Sequence, residues 1–202
     1  MKNEINIVDD RVYGYSKIEE PVLIELINSQ PLQRLKKIEQ FGVPSEWYCF
    51  PGFSRFEHSV GVLILLKKLN APLKEQIVGL LHDVSHTAFS HVADWVFEDT
   101  IENEDYQDLI HETFLIKSEI PKIVEKYGFD ISEISKIENF GILERPAPDL
   151  CADRVDYALR EFMCWTNKQI VPFCVENLTT YNNKIIFKNK EAAFEFGKHF
   201  LR

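Results

Sequence analysis

At 202 residues, 45% of them hydrophobic, the chain is sized to bury one substantial core, which speaks for a single domain over 1–202 rather than two. The formal net charge of −9 argues against stable nucleic-acid binding, which draws on lysine and arginine, yet permits a small anionic substrate held in a local cationic pocket. Four cysteines without CxxC spacing, no apolar leader core in MKNEINIVDD and no apolar run longer than Val62 to Leu66 point to a reduced, cytoplasmic protein with no membrane partner.

Residues 1–20 alternate weakly, with Ile5, Ile7, Val12 and Tyr13 around Asp9-Asp10 and Gly14, and predict a short β-ribbon within about 1–18. From Glu19 the period turns helical: Leu23, Leu26 and Ile27, then Leu32, Leu35 and Ile38, broken at Ser29 and Pro31, predict two consecutive amphipathic helices. A loop rich in Gly, Pro and aromatics follows from Gly42 to Phe53, with Trp47, Tyr48, Phe50 and Phe53 expected to pack on the core rather than to stack on a base. His58 is expected to open a helix that carries Val62, Leu65, Leu66 and Leu69 and closes near Asn70 and Pro72. Leu73 to His82 is nearly all apolar, the mark of a buried helix.

Phe89 to Phe97 is expected to be helical and Glu98 to Asp108 a solvated acidic loop. His111 begins or lies early in an amphipathic helix through Phe114 and Leu115 to Ile120, and Pro121 to Tyr127 and Ile131 to Ile137 supply shorter ones. A loop with Pro146 and Pro148 leads into DLCADRVDYALREF, where Leu150, Val155, Ala158, Leu159 and Phe162 form the buried stripe. Leu178 to Phe187 around Asn182-Asn183 has the chemistry of a β-hairpin, and Glu191 to Arg202 reads as a terminal helix. The class is all-α, with a helical core over about 19–178, one or two small hairpins, and a hairpin and helix closing about 179–202.

Five of the six histidines, His58, His82, His86, His91 and His111, fall within residues 58–111. Imidazole and carboxylate together suit one divalent ion, such as Mn, Fe, Co, Ni or Zn. Adjacent His82 and Asp83 can share an ion only where the helix stops, because neighbouring side chains on a continuing helix diverge by about 100°. Val84-Ser85 is the expected break, with Ser85 capping a new start at His86. His58 and a further carboxylate would make four protein ligands and leave positions open for water and a substrate oxygen. Asp153 is the candidate, on a helix otherwise apolar on its buried face, with Asp156 and Tyr157 on the same side to meet substrate or support the ligands.

The order His…His-Asp…Asp resembles the HD-domain metal-dependent phosphohydrolases. FPGFSRFEHSVGV, GLLHDVSHTAFSH, the HETF at His111, ADRVDYALRE around Asp153 and PLQRLKKIEQFG at Pro31 to Gly42 are similar to the branch containing deoxynucleoside triphosphate triphosphohydrolases. That resemblance implies a helical HD-domain bundle and one metal, Mn, Fe, Zn, Ni, Co or Mg, on His58, His82, Asp83 and Asp153. It implies His86, His91 and His111 around the scissile phosphate, with His91 or His111 as general acid. It implies Arg55 on phosphate, Gln40 by the sugar and Tyr157 near sugar or phosphates, in a branch that tends to assemble into homo-oligomers. A salt bridge to Glu57 or another acid is the competing expectation for Arg55.

Several departures from that branch's pattern bear on substrate and regulation. Glu161 stands where the branch commonly has an aspartate that reads a sugar hydroxyl, and Phe41 replaces an aliphatic residue beside Gln40. Asn28 and Lys36 replace an acid and an arginine of the region used for nucleotide regulation. The sequence ends at Arg202, where the triphosphohydrolases continue into a lobe that helps enclose base and sugar, so an open pocket is expected. Nucleotidase or phosphodiesterase action on another small phosphate ester, and a nucleotide-binding HD protein without turnover, are the alternative functions.

Overall fold

The computed structural model describes residues 6–47, 49, 51–93 and 106–201. The N-terminal ribbon forms as expected: β1 (Ile7–Asp10) pairs antiparallel with β2 (Gly14–Lys17). Asp10 closes its turn by accepting the amides of Val12 at 2.8 Å and Tyr13 at 3.1 Å. Helices α1 (Pro21–Ile27) and α2 (Gln30–Arg34) follow, and Val22, Leu23, Leu26, Ile27 and Leu32 pack inward. Proline in the first turn of each suits a position whose amide has no helical partner.

Helix α3 (Arg55–Lys68) begins three residues before the expected start at His58. Ser54 is the reason: its hydroxyl accepts the Glu57 amide while the Glu57 carboxylate accepts the Ser54 amide, a capping box that fixes the first turn. Val60, Val62, Leu63, Ile64, Leu65 and Leu66 are all buried, so α3 is the central helix of the core. Asn70, at φ 57°, ends it, and Pro72 leads into α4 (Leu73–Leu81). Gly79 of α4 lies so close to α3 that a Cβ there would meet Leu66 at 2.2 Å.

Helix α5 (Tyr106–Lys117) starts inside the stretch expected to be an acidic loop, which is otherwise outside the described residues from 98 to 105. Of the helix expected at 89–97, residues 89–91 are turn, Val92 and Ala93 are helical, and the remainder lies outside the described residues. Helices α6 (Ile120–Lys126) and α7 (Ile131–Ile134) come next. The expected helix to Ile137 stops at Ile134 because Lys136 takes a non-helical conformation, φ −98° and ψ 76°, before a 3-10 turn at Ile137–Asn139.

Helix α8 (Ala152–Trp165) lies against α3 and buries Val155, Ala158, Leu159 and Phe162. Helix α9 (Ile170–Asn177) leads to the hairpin of β3 (Leu178–Tyr181) and β4 (Lys184–Phe187), and α10 (Lys190–Phe200) packs on it. Asn182 and Asn183 both sit at positive φ, 48° and 57°, the backbone a two-residue hairpin turn demands. The described part is therefore helical with two small hairpins, as the sequence pattern indicates. No described helix is long and apolar enough to cross a membrane. In the aromatic loop Phe53 is buried, Trp47 is exposed, and Tyr48 and Phe50 lie outside the described residues.

Candidate metal centre

Helix α4 ends at Leu81, and residues 82–85 form a turn held by Val84 N to Leu81 O at 3.0 Å and His86 N to Asp83 O at 3.1 Å. This turn brings the adjacent His82 and Asp83 to one point. Ser85 does not cap a new helix; its hydroxyl lies 3.0 Å from His111 Nδ1 and 3.4 Å from the Gln107 carbonyl, tying the turn to α5. Gln107 in turn donates from Nε2 to the His82 carbonyl at 3.1 Å.

His58, one turn into α3, and Asp153, in the first turn of α8, close the cluster. His58 Nε2 lies 2.8 Å from Asp153 Oδ1, 3.2 Å from His82 Nε2 and 3.8 Å from Asp83 Oδ2. His82 Nε2 is 3.4 Å from Asp153 Oδ1 and 3.6 Å from Asp83 Oδ1. Neighbouring ligands each about 2.1 Å from one ion stand roughly 3 Å apart in an octahedral shell; the separations among His58, His82 and Asp153 are near that spacing, and the Asp83 oxygens stand further out.

The hydrogen bonds behind the cluster point the same way. His58 Nδ1 is 2.8 Å from Asp156 Oδ2, and His82 Nδ1 is 2.7 Å from the Gly79 carbonyl, so acceptors on the far side of each ring turn both Nε2 lone pairs toward the carboxylates. Two imidazole lone pairs and two carboxylates converging on one point repel one another until a cation joins them. A proton partly meets that need: burial opposes charge on His58, but hydrogen bonds to Asp153 and Asp156 outweigh it and carry its pKa to about 9. Although desolvation in the cluster opposes it, hydrogen bonds to His58 and His82 hold the partly buried Asp153 below the ordinary carboxylate range. The residues present fit one divalent ion.

Asp156 is fully buried and receives Arg160 Nε at 2.7 Å, and Arg160 Nη2 reaches Asp10 Oδ2 at 2.7 Å. A charged chain thus runs from the N-terminal ribbon to the ring of His58. Arg160 lies in the ADRVDYALRE block without a role read from it, and Asp10 lies outside the motif blocks; their burial and pairing in the folded chain reveal them.

The cluster opens into a cavity of about 810 Å³ lined by Gln40, Arg55, Tyr157, His86, His91 and His111, together with acids of α5, residues 135–138 after α7, and Glu144. His86 Nε2 is 3.2 Å from Asp83 Oδ1, while its buried Nδ1 has no hydrogen-bond partner. The ring of His91 meets that of His86 edge-on, with centroids 4.8 Å apart. Burial pushes His86 and His111 down to about 4, so both rings are neutral near pH 7. The amide oxygen of Gln40 is likewise buried without a partner.

Arg55 is not paired with Glu57, which instead takes Arg11. Its guanidinium is 1% exposed and bonds Asp83 Oδ2 at 2.5 Å, Ser90 Oγ at 2.6 Å and the Gln40 carbonyl at 3.2 Å. Glu161 is not among the residues lining the cavity; it lies one helical turn beyond Tyr157, partly buried, where desolvation lifts its carboxyl to about 7.

Residues 55–158 match the model of the HD domain, a span that holds every residue of this cluster. The chain belongs to the HD-domain family. It is 49% identical over 193 residues to the uncharacterized protein YdhJ of Bacillus subtilis, covering 92% of this chain and 57% of that one. It is 41% identical over 155 residues to a metal-dependent phosphohydrolase, cns2, of Cordyceps militaris, covering 77% and 44%. Human SAMHD1, a deoxynucleoside triphosphate triphosphohydrolase, is 32% identical over 172 residues, covering 72% and 27%. This HD-domain chain spans about half the length of the first two of these relatives.

Proposed function

We propose that this HD-domain chain is a metal-dependent phosphohydrolase acting on a nucleotide or a related small phosphate ester. The observation that carries the reading is the grouping of His58, His82 and Asp83, with Asp153 2.8 Å from His58 and 3.4 Å from His82, at the floor of a cavity that also presents His86, His91 and His111. A divalent ion bound there supplies a nucleophile near neutral pH and offsets charge on the phosphoryl oxygens.

The remaining roles belong to side chains. His58, His82, Asp83 and Asp153 are the proposed ligands. His86, with its free Nδ1, and His111, braced by Ser85, face the phosphate. A dianionic phosphate beside the neutral His111 imidazole favours its protonated form, which makes His111 able to give a proton to the leaving oxygen; His91, beside His86, is the other proposed donor. Arg55 orients Asp83 and, with two N–H groups beyond its three bonds, also serves phosphate. Gln40 and Tyr157 contact the sugar side.

Similarity to deoxynucleoside triphosphate triphosphohydrolases nominates a deoxynucleoside triphosphate as the first substrate. A phosphate monoester is the second reading, favoured by the acid-rich outer wall of the cavity. The test is phosphate, pyrophosphate and tripolyphosphate release from a nucleotide panel with Mn²⁺. Product formation lost in Asp153→Ala supports the reading; no product with any nucleotide under Mn²⁺, Fe²⁺ or Mg²⁺ overturns it.

A further inference from the structure

Helix α5 stands between two cavities. Gln107, Asp108, His111 and Glu112 face the catalytic one, whereas Ile110, Thr113, Phe114 and Lys117, spaced i, i+3, i+4 and i+7, put another face of the helix into a second cavity of about 420 Å³. Helix α2 supplies Gln30, Pro31 and Arg34 to the same lining. We infer that this second cavity is a binding site for a small organic carboxylate with an apolar body, and that Arg34 ties its occupancy to the catalytic turn.

Charge carries the inference. In a chain of net charge −9, this lining holds two cations, Arg34 and Lys117, and no carboxylate. Neither cation pairs with an acid among the described residues. The half-buried Arg34 gives Nη2 to the carbonyls of Val84 at 2.7 Å and His86 at 2.9 Å and leaves Nε buried with no partner, while Lys117 is exposed. Glu119, next in sequence to the lining Ser118, accepts the Gln30 amide at 2.7 Å. A guanidinium taken from water without a counter-charge gains from an anion beside it, and burial holds the Arg34 pKa below its ordinary value.

The rest of the lining sets the kind of anion. Pro31, Ile110 and the Phe114 ring, whose centroid is 5.3 Å from the Arg34 guanidinium carbon, offer an apolar surface for a hydrocarbon or aromatic body. One planar carboxylate matches a guanidinium edge and a lysine, whereas the further oxygens of a polyanion would lie against those apolar groups. Asn28 and Lys36 do not line this cavity. Because Nη2 of Arg34 holds the carbonyls of Val84 and His86, an anion drawing on that guanidinium acts on the turn that carries Asp83 and His86.

The experiment titrates phenylacetate into the Zn²⁺-loaded protein and follows backbone amide resonances. Saturable binding is expected, with a Kd on the order of 1 mM or tighter and with shifts at Lys117 and at residues 84–86. Phenylacetamide, of the same shape without the charge, should bind about tenfold more weakly or worse, as should phenylacetate to Lys117→Glu. No saturation, equal binding of the amide, or undiminished binding to folded Lys117→Glu overturns the site, the last by placing the carboxylate elsewhere, as on the metal. Saturation that leaves residues 84–86 unmoved overturns the tie through Arg34. Turnover is not a readout in this titration, so the site and the phosphohydrolase reading can each fail alone.

Discussion

Asp156 holds His58 from behind: its Oδ2 lies 2.8 Å from Nδ1 of the ring whose Nε2 faces the metal cluster. Both side chains are fully buried, on α8 and α3, so the contact sets where the central core helix presents its imidazole. Removing such an outer partner weakens metal binding about 10- to 100-fold while leaving every ligand in place. Asp156→Asn should therefore show that loss in a calorimetric Mn²⁺ titration. An unchanged affinity would remove Asp156 from the account.

The same contact requires a glycine. A Cβ on Gly61 would stand 1.8 Å from Arg160 Nη2 and 2.3 Å from Asp156 Oδ1, neither of which has room to move in a buried ion pair. Gly61→Ala should cost about 1–3 kcal/mol by overpacking and lower metal affinity with it. Urea denaturation and the same titration check both effects.

How much of this was legible beforehand follows from the kind of interaction involved. Periodicity located most of the described helices and both hairpins, because the pattern of apolar residues is itself the cause of the elements; α9 and the start of α5 were not among the expected helices. His58, His82, Asp83 and Asp153 were legible from residue type and order. The capping box at Ser54 was also present in the sequence, as Ser54 and Glu57 three residues apart, and it moves the helix start to Arg55. Asp10 and Arg160 were not legible: they are 150 positions apart and join only when the ribbon packs on α8. The partner of Arg55 was hidden for the same reason, since Glu57 is near in sequence and Asp83 near in space.

Ser85 should act on His111 without touching the metal. Its hydroxyl is 3.0 Å from Nδ1 of that ring. Ser85→Ala should keep the metal content of the wild type and lower kcat by about tenfold, a part of what a positioned acid contributes. Metal loss in this variant would show that Ser85 supports the ligand turn instead.

His111 also links pH to stability. Its folded pKa is depressed by burial to about 4, below the ordinary value near 6.5 of an unfolded chain. A depressed histidine contributes stability above the unfolded value, and that contribution is lost as pH falls from about 6.5 toward 4, because the unfolded state takes up the proton first. In the metal-free protein, His111→Gln should flatten the fall in the unfolding midpoint over that window. An equally steep profile in the variant would assign the pH dependence to other groups.

The central claim is that four side chains hold one divalent ion that makes this chain a hydrolase. Asp153 tests it best, being the most exposed of the four at 26% and so the least costly to remove from the fold. Metal content by plasma mass spectrometry, with phosphate release measured on the same samples, should give about one transition metal per chain in the wild type. Asp153→Ala should be folded and lack both metal and activity. A folded Asp153→Ala protein that keeps its metal and its turnover would contradict the account.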